Sequence, residues 1–204
     1  MSAKTAGITH CLSQQNIKQN VTQLTLKNER ATTRLAGAFA QACDLLNVGD
    51  AQGLVVYLHG DLGAGKSFFS RAFIQYFLPE QKVKSPTYTL VESYNASKLT
   101  IHHFDLYRLC DPEELEYLAI RDLLVGSFVA LVEWPQKGAP ILPSADIVIN
   151  LQHLEDFEAL ESSSRTVDIN ANSPIGEAIA TLMLASLAEN GEQGGGVSST
   201  DVKT

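Results

Sequence analysis

The chain has 204 residues, 45% of them hydrophobic, which suits one domain with extra segments and a real core. Its formal net charge of −8 excludes non-specific nucleic-acid binding through a broad basic surface, so no strong direct contact with nucleic acid is expected. Cys11, Cys43 and Cys110 form no C-x-x-C pair, and there is no apolar run of transmembrane length and no signal-peptide pattern, so the expectation is a soluble, cytoplasmic, reduced protein without membrane attachment.

Residues 1–23 are rich in Ser, Thr, Gln and Asn and are expected to be a poorly ordered leader, with a candidate strand at 21–26. The domain body is expected over residues 24–189. Residues 28–46 carry helical spacing, with Leu35, Phe39, Ala42 and Leu46 able to share a face and Asn28 as a candidate cap. A loop at 47–53 leads into the apolar run 54–58, patterned as a strand covered on both faces. A helix is expected over 67–78, with Phe69, Phe73 and Phe77 as a core stripe and Pro79 as its stop. Then come a polar loop at 82–87, an extended stretch at 88–94 and a strand at 99–105. Asp111-Pro112-Glu113-Glu114 is a helix start, and a second short helical piece is expected around 120–124. Further strands are expected at 127–132, 146–151 and 165–169, and an amphipathic helix from Ser173-Pro174 to about 188. Residues 190–204 are Gly/Ser-rich and are expected to be a disordered tail. The element order predicts an α/β, three-layer domain of the P-loop NTPase type with a central, mostly parallel or mixed sheet.

Between the strand at 54–58 and the helix after it stands Gly60-Asp61-Leu62-Gly63-Ala64-Gly65-Lys66-Ser67, which is G-x-x-x-x-G-K-[ST] in the context that a phosphate-binding loop requires. Glycines let successive backbone N–H groups curl round phosphate oxygens. Lys66 supplies a point charge for the β- and γ-phosphates, and Ser67 a hydroxyl for Mg²⁺. The helix opening near Gly65 adds its positive end. The binding run is therefore Gly60, Asp61, Leu62, Gly63, Ala64, Gly65, Lys66, Ser67 and Phe68. No N-K-x-D follows, so ATP is favoured over a guanine nucleotide.

Phosphoryl chemistry also needs an acid at the end of a neighbouring strand. Asp105, closing L-T-I-H-H-F-D, and Glu133, closing S-F-V-A-L-V-E, are the candidates for holding metal or positioning water. With Lys66 they form the expected catalytic set, and with Ser67 the expected metal set; which of the two acids meets the metal is left open. His102 and His103 point to opposite faces and make no chelating pair. His103 shares the face of Asp105 and is the better functional candidate, with a packing or hydrogen-bonding role as the alternative. Arg108 could stabilise transferring charge or pair with Asp105. Trp134 could stack on a base, anchor a partner or simply fill the core, and Lys84, Ser85 and Thr87 make a loop that could sense nucleotide.

Four blocks, GDLGAGKSFFSR, KSPTYTLVESY, HHFDLYRL with DPEELEYL, and LVEWPQKG, in this order and spacing, resemble the TsaE (YjeE) family over about residues 26–169. The resemblance implies Mg²⁺-dependent ATP binding and weak ATP hydrolysis. It implies partnership with the threonylcarbamoyl transferase subunits TsaD and TsaB in forming N6-threonylcarbamoyladenosine at position 37 of tRNA. It also implies Glu133 as the magnesium-associated acid, Asp105 as the other key acid, and Ser85-Pro86-Thr87 as a switch-like loop. Residues 25–28 are implied near adenine. A small-molecule kinase, with Arg108 and Arg121 flanking a lid-like helix, is the alternative reading, and a non-catalytic nucleotide sensor is a third.

Overall fold

The computed structural model describes residues 21–48, 53–154, 164–189 and 197–199. The leader before residue 21, part of the loop expected at 47–53 and most of the tail expected from residue 190 lie outside the described residues. The described elements run β1 (Val21–Leu26), α1 (Glu29–Leu45), β2 (Leu54–His59), α2 (Lys66–Phe77), β3 (Val91–Asn95) and β4 (Thr100–Asp105). They continue with α3 (Glu114–Tyr117), α4 (Ile120–Leu123), β5 (Phe128–Glu133), β6 (Ile147–His153), β7 (Arg165–Ala171), α5 (Pro174–Glu189) and β8 (Val197–Ser199).

The strands form one mixed sheet in the order β3-β4-β5-β2-β6-β7-β1-β8. Its centre, β4-β5-β2-β6, is parallel, while β3 on one edge and β7, β1 and β8 on the other are antiparallel. Parallel neighbours need crossover segments, and α2, α3 and α4 supply them between β2, β4 and β5. The expected α/β, three-layer arrangement is therefore what forms. Three residues of the expected tail pair as β8 with the edge that β1 presents, and the rest of that tail lies outside the described residues.

Apolar patterning explains the layers. β2 buries Leu54, Val56 and Leu58 toward α1 and α2, and Val55 toward the opposite face. Phe39 of α1 meets Phe69 and Phe73 of α2 with ring centroids 6.0 and 5.6 Å apart, and all three rings are fully buried. Each such ring contributes about 1.5–3 kcal/mol of burial. The second face holds a smaller core of Phe104, Leu106, Leu115, Ile120, Ala130 and Val132 under α3 and α4. The phenylalanine stripe of α2 is core, as its spacing predicts.

Local signals set the helix ends. Asn28 caps α1, its side-chain oxygen accepting from the Ala31 N–H at 3.0 Å. The start at Asp111 yields only one turn, α3, because Ala119 adopts φ 49° and separates it from α4. The extended stretch expected at 88–94 is corrected: residues 87–90 turn, with the Leu90 N–H on the Pro86 carbonyl at 2.7 Å, and the strand begins at Val91. Ser85 and Thr87 hydrogen-bond Asp105, and this pulls the chain in over the sheet before it enters β3. Among the described residues no helix is long and apolar enough to cross a membrane.

Candidate active site

The site forms where three parallel strands end together. Leu58 of β2 lies level with Glu133 of β5, and Glu133 lies level with Asp105 of β4. Register alone thus brings the glycine loop and both candidate acids to one edge of the sheet, where open α/β sheets take ligands. A cleft of about 400 Å³ opens there, lined by Gly63, Gly65, Lys66, Ser67, Asp105 and Glu133, with Leu62, Phe68, Ser85, Thr87, Tyr107, Arg108 and Trp134 round them.

Gly60, Gly63 and Gly65 all hold positive φ, and two of them also pass close to other segments. Gly60 has φ 135°, and a Cβ there would sit 2.2 Å from the Leu151 carbonyl oxygen. Gly65, with φ 105°, opens α2 and passes against Arg165, whose Nε is 3.1 Å from where a Cβ would be. Arg165 donates from Nε to the Ala64 carbonyl at 3.0 Å and so ties the loop to β7. Gly60, Asp61 and Ala64 of the binding run shape the loop from behind, whereas Leu62, Gly63, Gly65, Lys66, Ser67 and Phe68 face the cleft.

Lys66 is buried and curls back on its own loop. Its ammonium donates to the carbonyls of Gly60 and Asp61 at 2.6 and 2.8 Å and lies 4.1 Å from the centre of the Trp134 ring. Burial pulls its pKa below the ordinary value, opposed by the charges of Glu133, Asp105 and Asp61. Trp134 covers it from the left-handed region, φ 59°, an unusual place for a bulky residue and a form of local strain that clusters at functional sites.

Glu133 is 2% exposed and fully partnered. Ser67 donates to its Oε2 at 2.8 Å, and Nε2 of His103 lies 2.7 Å from its Oε1, with Ser70 Oγ at 3.5 Å from the same oxygen. Asp105, also buried, holds the polar loop. Its Oδ2 accepts from Ser85 and from Thr87, the latter at 2.8 Å, and its Oδ1 accepts from the Tyr107 N–H at 3.1 Å. Ser67 and Glu133 are the oxygen donors that could hold a divalent cation beside a phosphate. Asp105 instead links the cleft to the 85–87 loop.

Of the remaining candidates, Arg108 lies over the Tyr88 ring at 4.3 Å on the rim of the cleft. Arg121 pairs with Glu116 at 3.0 Å on the surface, outside the cleft. Sequence reasoning missed Ser70 and Arg165. Ser70 was legible only as the residue one turn after Ser67 on α2. Arg165 carried no local signal, because its partner Ala64 is 101 positions away.

A family model described as threonylcarbamoyl adenosine biosynthesis protein TsaE matches residues 26–162. The chain is 44% identical over 141 residues to the tRNA threonylcarbamoyladenosine biosynthesis protein TsaE of Haemophilus influenzae, covering 69% of this chain and 88% of that one. It is 34% identical to the protein of that name from Bacillus subtilis, covering 63% of this chain and 74% of that one. The crystal structure of Bacillus subtilis YdiB superposes with a TM-score of 0.61 at 22% identity, over 82% of this chain and 96% of that one, a likeness of fold. With a family model covering most of its domain and relatives this similar, the chain belongs to the TsaE family of threonylcarbamoyl adenosine biosynthesis proteins.

Proposed function

We propose that this chain is a Mg²⁺-dependent ATP-binding protein with weak ATPase activity. In this reading it works in the cytoplasm with threonylcarbamoyl transferase subunits of the TsaD and TsaB type, in forming N6-threonylcarbamoyladenosine at position 37 of tRNA. The observation that carries the reading is the Ser67–Glu133 contact of 2.8 Å directly beneath the glycine loop. A hydroxyl and a carboxylate meet where a triphosphate would place its metal-binding oxygens. Among the described residues no three His, Cys, Asp or Glu side chains converge on a metal. Mg²⁺ binds through one or two protein oxygens together with phosphate and water, and Ser67 and Glu133 offer such oxygens. When bound, the cation neutralises charge between the phosphates.

The residues divide the work. The loop N–H groups and Lys66 bind the triphosphate, with Lys66 leaving the Gly60 and Asp61 carbonyls to do so. Glu133 and Ser67 hold the cation, and Trp134 keeps water off the lysine. Asp105 gives its Oδ2 to Ser85 and Thr87, while its Oδ1 accepts one bond, from the Tyr107 N–H, and keeps acceptor capacity toward the cleft. In this reading hydrolysis is slow while the 85–87 loop holds Oδ2 of Asp105, and a partner that moves the loop would free that oxygen. The kinase reading gains nothing from Arg121, which lies outside the cleft.

The test is ATP turnover of wild type and Glu133→Gln, each alone and with a TsaD–TsaB pair. Wild type should turn over slowly alone and faster with the pair. The variant should lose about 10²-fold, the scale of one charged contact worth about 3 kcal/mol. Wild-type turnover indifferent to the pair would refute the coupling, and full activity of Glu133→Gln at low Mg²⁺ would refute the metal role.

A further inference from the structure

His103 has no exposed surface, yet it is not a packing residue alone. It sits on β4 opposite Leu131 of β5, and Glu133 is two residues further along the same face. That diagonal lets its Nε2 reach the Glu133 Oε1 at 2.7 Å. The other ring nitrogen, Nδ1, is buried and has no hydrogen-bond partner among the described residues. The arrangement that satisfies the pair puts the proton on Nε2, donating to the carboxylate, and leaves at Nδ1 only an acceptor lone pair. A histidine accepted at that cost, where leucine would fill the same apolar layer, calls for a reason.

The two oxygens of Glu133 are held differently. Oε2 faces the cleft and is held by Ser67, the hydroxyl that a cation would claim. Oε1 faces inward and is held by His103, with Ser70 at the outer limit of a hydrogen bond. Once Ser67 turns to a cation, Oε2 loses its protein donor, and the Nε2 contact is the short protein bond that still fixes the carboxylate. We propose that His103 is a positioning residue for Glu133: it clamps Oε1 so that Oε2 stays aimed at the cation whether or not Ser67 is engaged. His103 itself touches neither nucleotide nor metal. The inference rests on the proposed role of Glu133 in holding Mg²⁺.

The test compares His103→Gln, His103→Asn and His103→Leu by thermal melting, by ATP affinity in EDTA, and by the Mg²⁺ concentration that half-saturates the gain in ATP affinity. A glutamine amide nitrogen reaches the Nε2 position. An asparagine nitrogen falls at the Nδ1 position and cannot reach Oε1. His103→Asn and His103→Leu should leave the EDTA affinity unchanged and raise the Mg²⁺ requirement about 10- to 100-fold, the usual effect of removing a group that orients a metal ligand. His103→Gln should return it to within a few-fold of wild type. An unchanged Mg²⁺ requirement in His103→Asn, or a defect equal in His103→Gln and His103→Asn, overturns the proposal. Should His103→Leu fail to fold, the Gln and Asn pair decides. If wild-type ATP binding itself shows no Mg²⁺ dependence, the proposed function falls and this inference with it. If wild type responds to Mg²⁺ and His103→Asn matches it, only the positioning role falls.

Discussion

Replacing Lys66 with methionine separates two roles that the free structure superimposes on one side chain. The ammonium holds the Gly60 and Asp61 carbonyls, so it is a clasp for its own loop; the proposed function makes it a phosphate ligand as well. Methionine keeps the apolar stem and removes the donor. Two carbonyls lose a buried partner, at about 1–3 kcal/mol each. This is offset in part because an ammonium need no longer be buried, a cost visible in its lowered pKa. A net loss of about 1–3 kcal/mol corresponds to a melting temperature lower by about 2–12 °C for a chain of this size. Loss of a charge-assisted phosphate contact worth about 1.5–3 kcal/mol lowers ATP affinity about 10- to 100-fold at 1.4 kcal/mol per decade. Differential scanning fluorimetry reads the first quantity and isothermal titration with Mg²⁺-ATP the second. A lower melting temperature with unchanged ATP affinity would show that Lys66 is a clasp only, and the phosphate assignment would have to be abandoned.

Two further substitutions bear on the loop and on the sheet beside it. Gly60→Ala places a Cβ 2.2 Å from the Leu151 oxygen at φ 135°, so the loop must shift. The expected loss is at least about 1–3 kcal/mol, together with weakened ATP binding, and a variant as stable and as tight as wild type would contradict the close approach of the loop to β6. His102, buried beside Phe104 and Phe128 with Nδ1 2.8 Å from Ser93 Oγ, has its pKa pulled below the ordinary 6.5 by burial, against a smaller opposing effect of the Leu123 backbone. The unfolded chain therefore takes up this proton first as pH falls, and stability is lost as pH drops through 6.5. Between about pH 7.5 and about pH 5.5, a range that brackets the ordinary histidine value, wild type should lose more melting temperature than His102→Gln. Parallel slopes would rule His102 out as a source of acid sensitivity.

Much of the fold was visible in local pattern because the cues act within a few residues. Asn28 caps the helix it precedes, Pro79 follows the end of α2, and the apolar run at β2 marks a strand covered on both faces. The errors fell where distant contacts override local preference. The segment before β3 turns because Asp105, 18 to 20 positions away, takes the Ser85 and Thr87 hydroxyls. The helix start at Asp111 needed no such contact: Asp111 Oδ1 accepts from the Glu113 N–H at 2.9 Å, and the short second piece follows as α4.

For the site, residue order was enough to mark the glycine loop, Lys66, Ser67 and the two strand-end acids, since each motif is contiguous and its chemistry is carried by residue type. It could also put His103 and Asp105 on one face, because a strand alternates with a period of two. It could not show what holds each acid. That required the parallel register of β2, β5 and β4, which sets Glu133 under Ser67 and leaves Asp105 to the 85–87 loop. The clamp of His103 on Glu133, the tryptophan over Lys66 and the arginine behind Ala64 likewise join segments 30 to 101 positions apart or meet across a backbone turn. Such pairings are products of sheet order and helix packing, and no local preference encodes them.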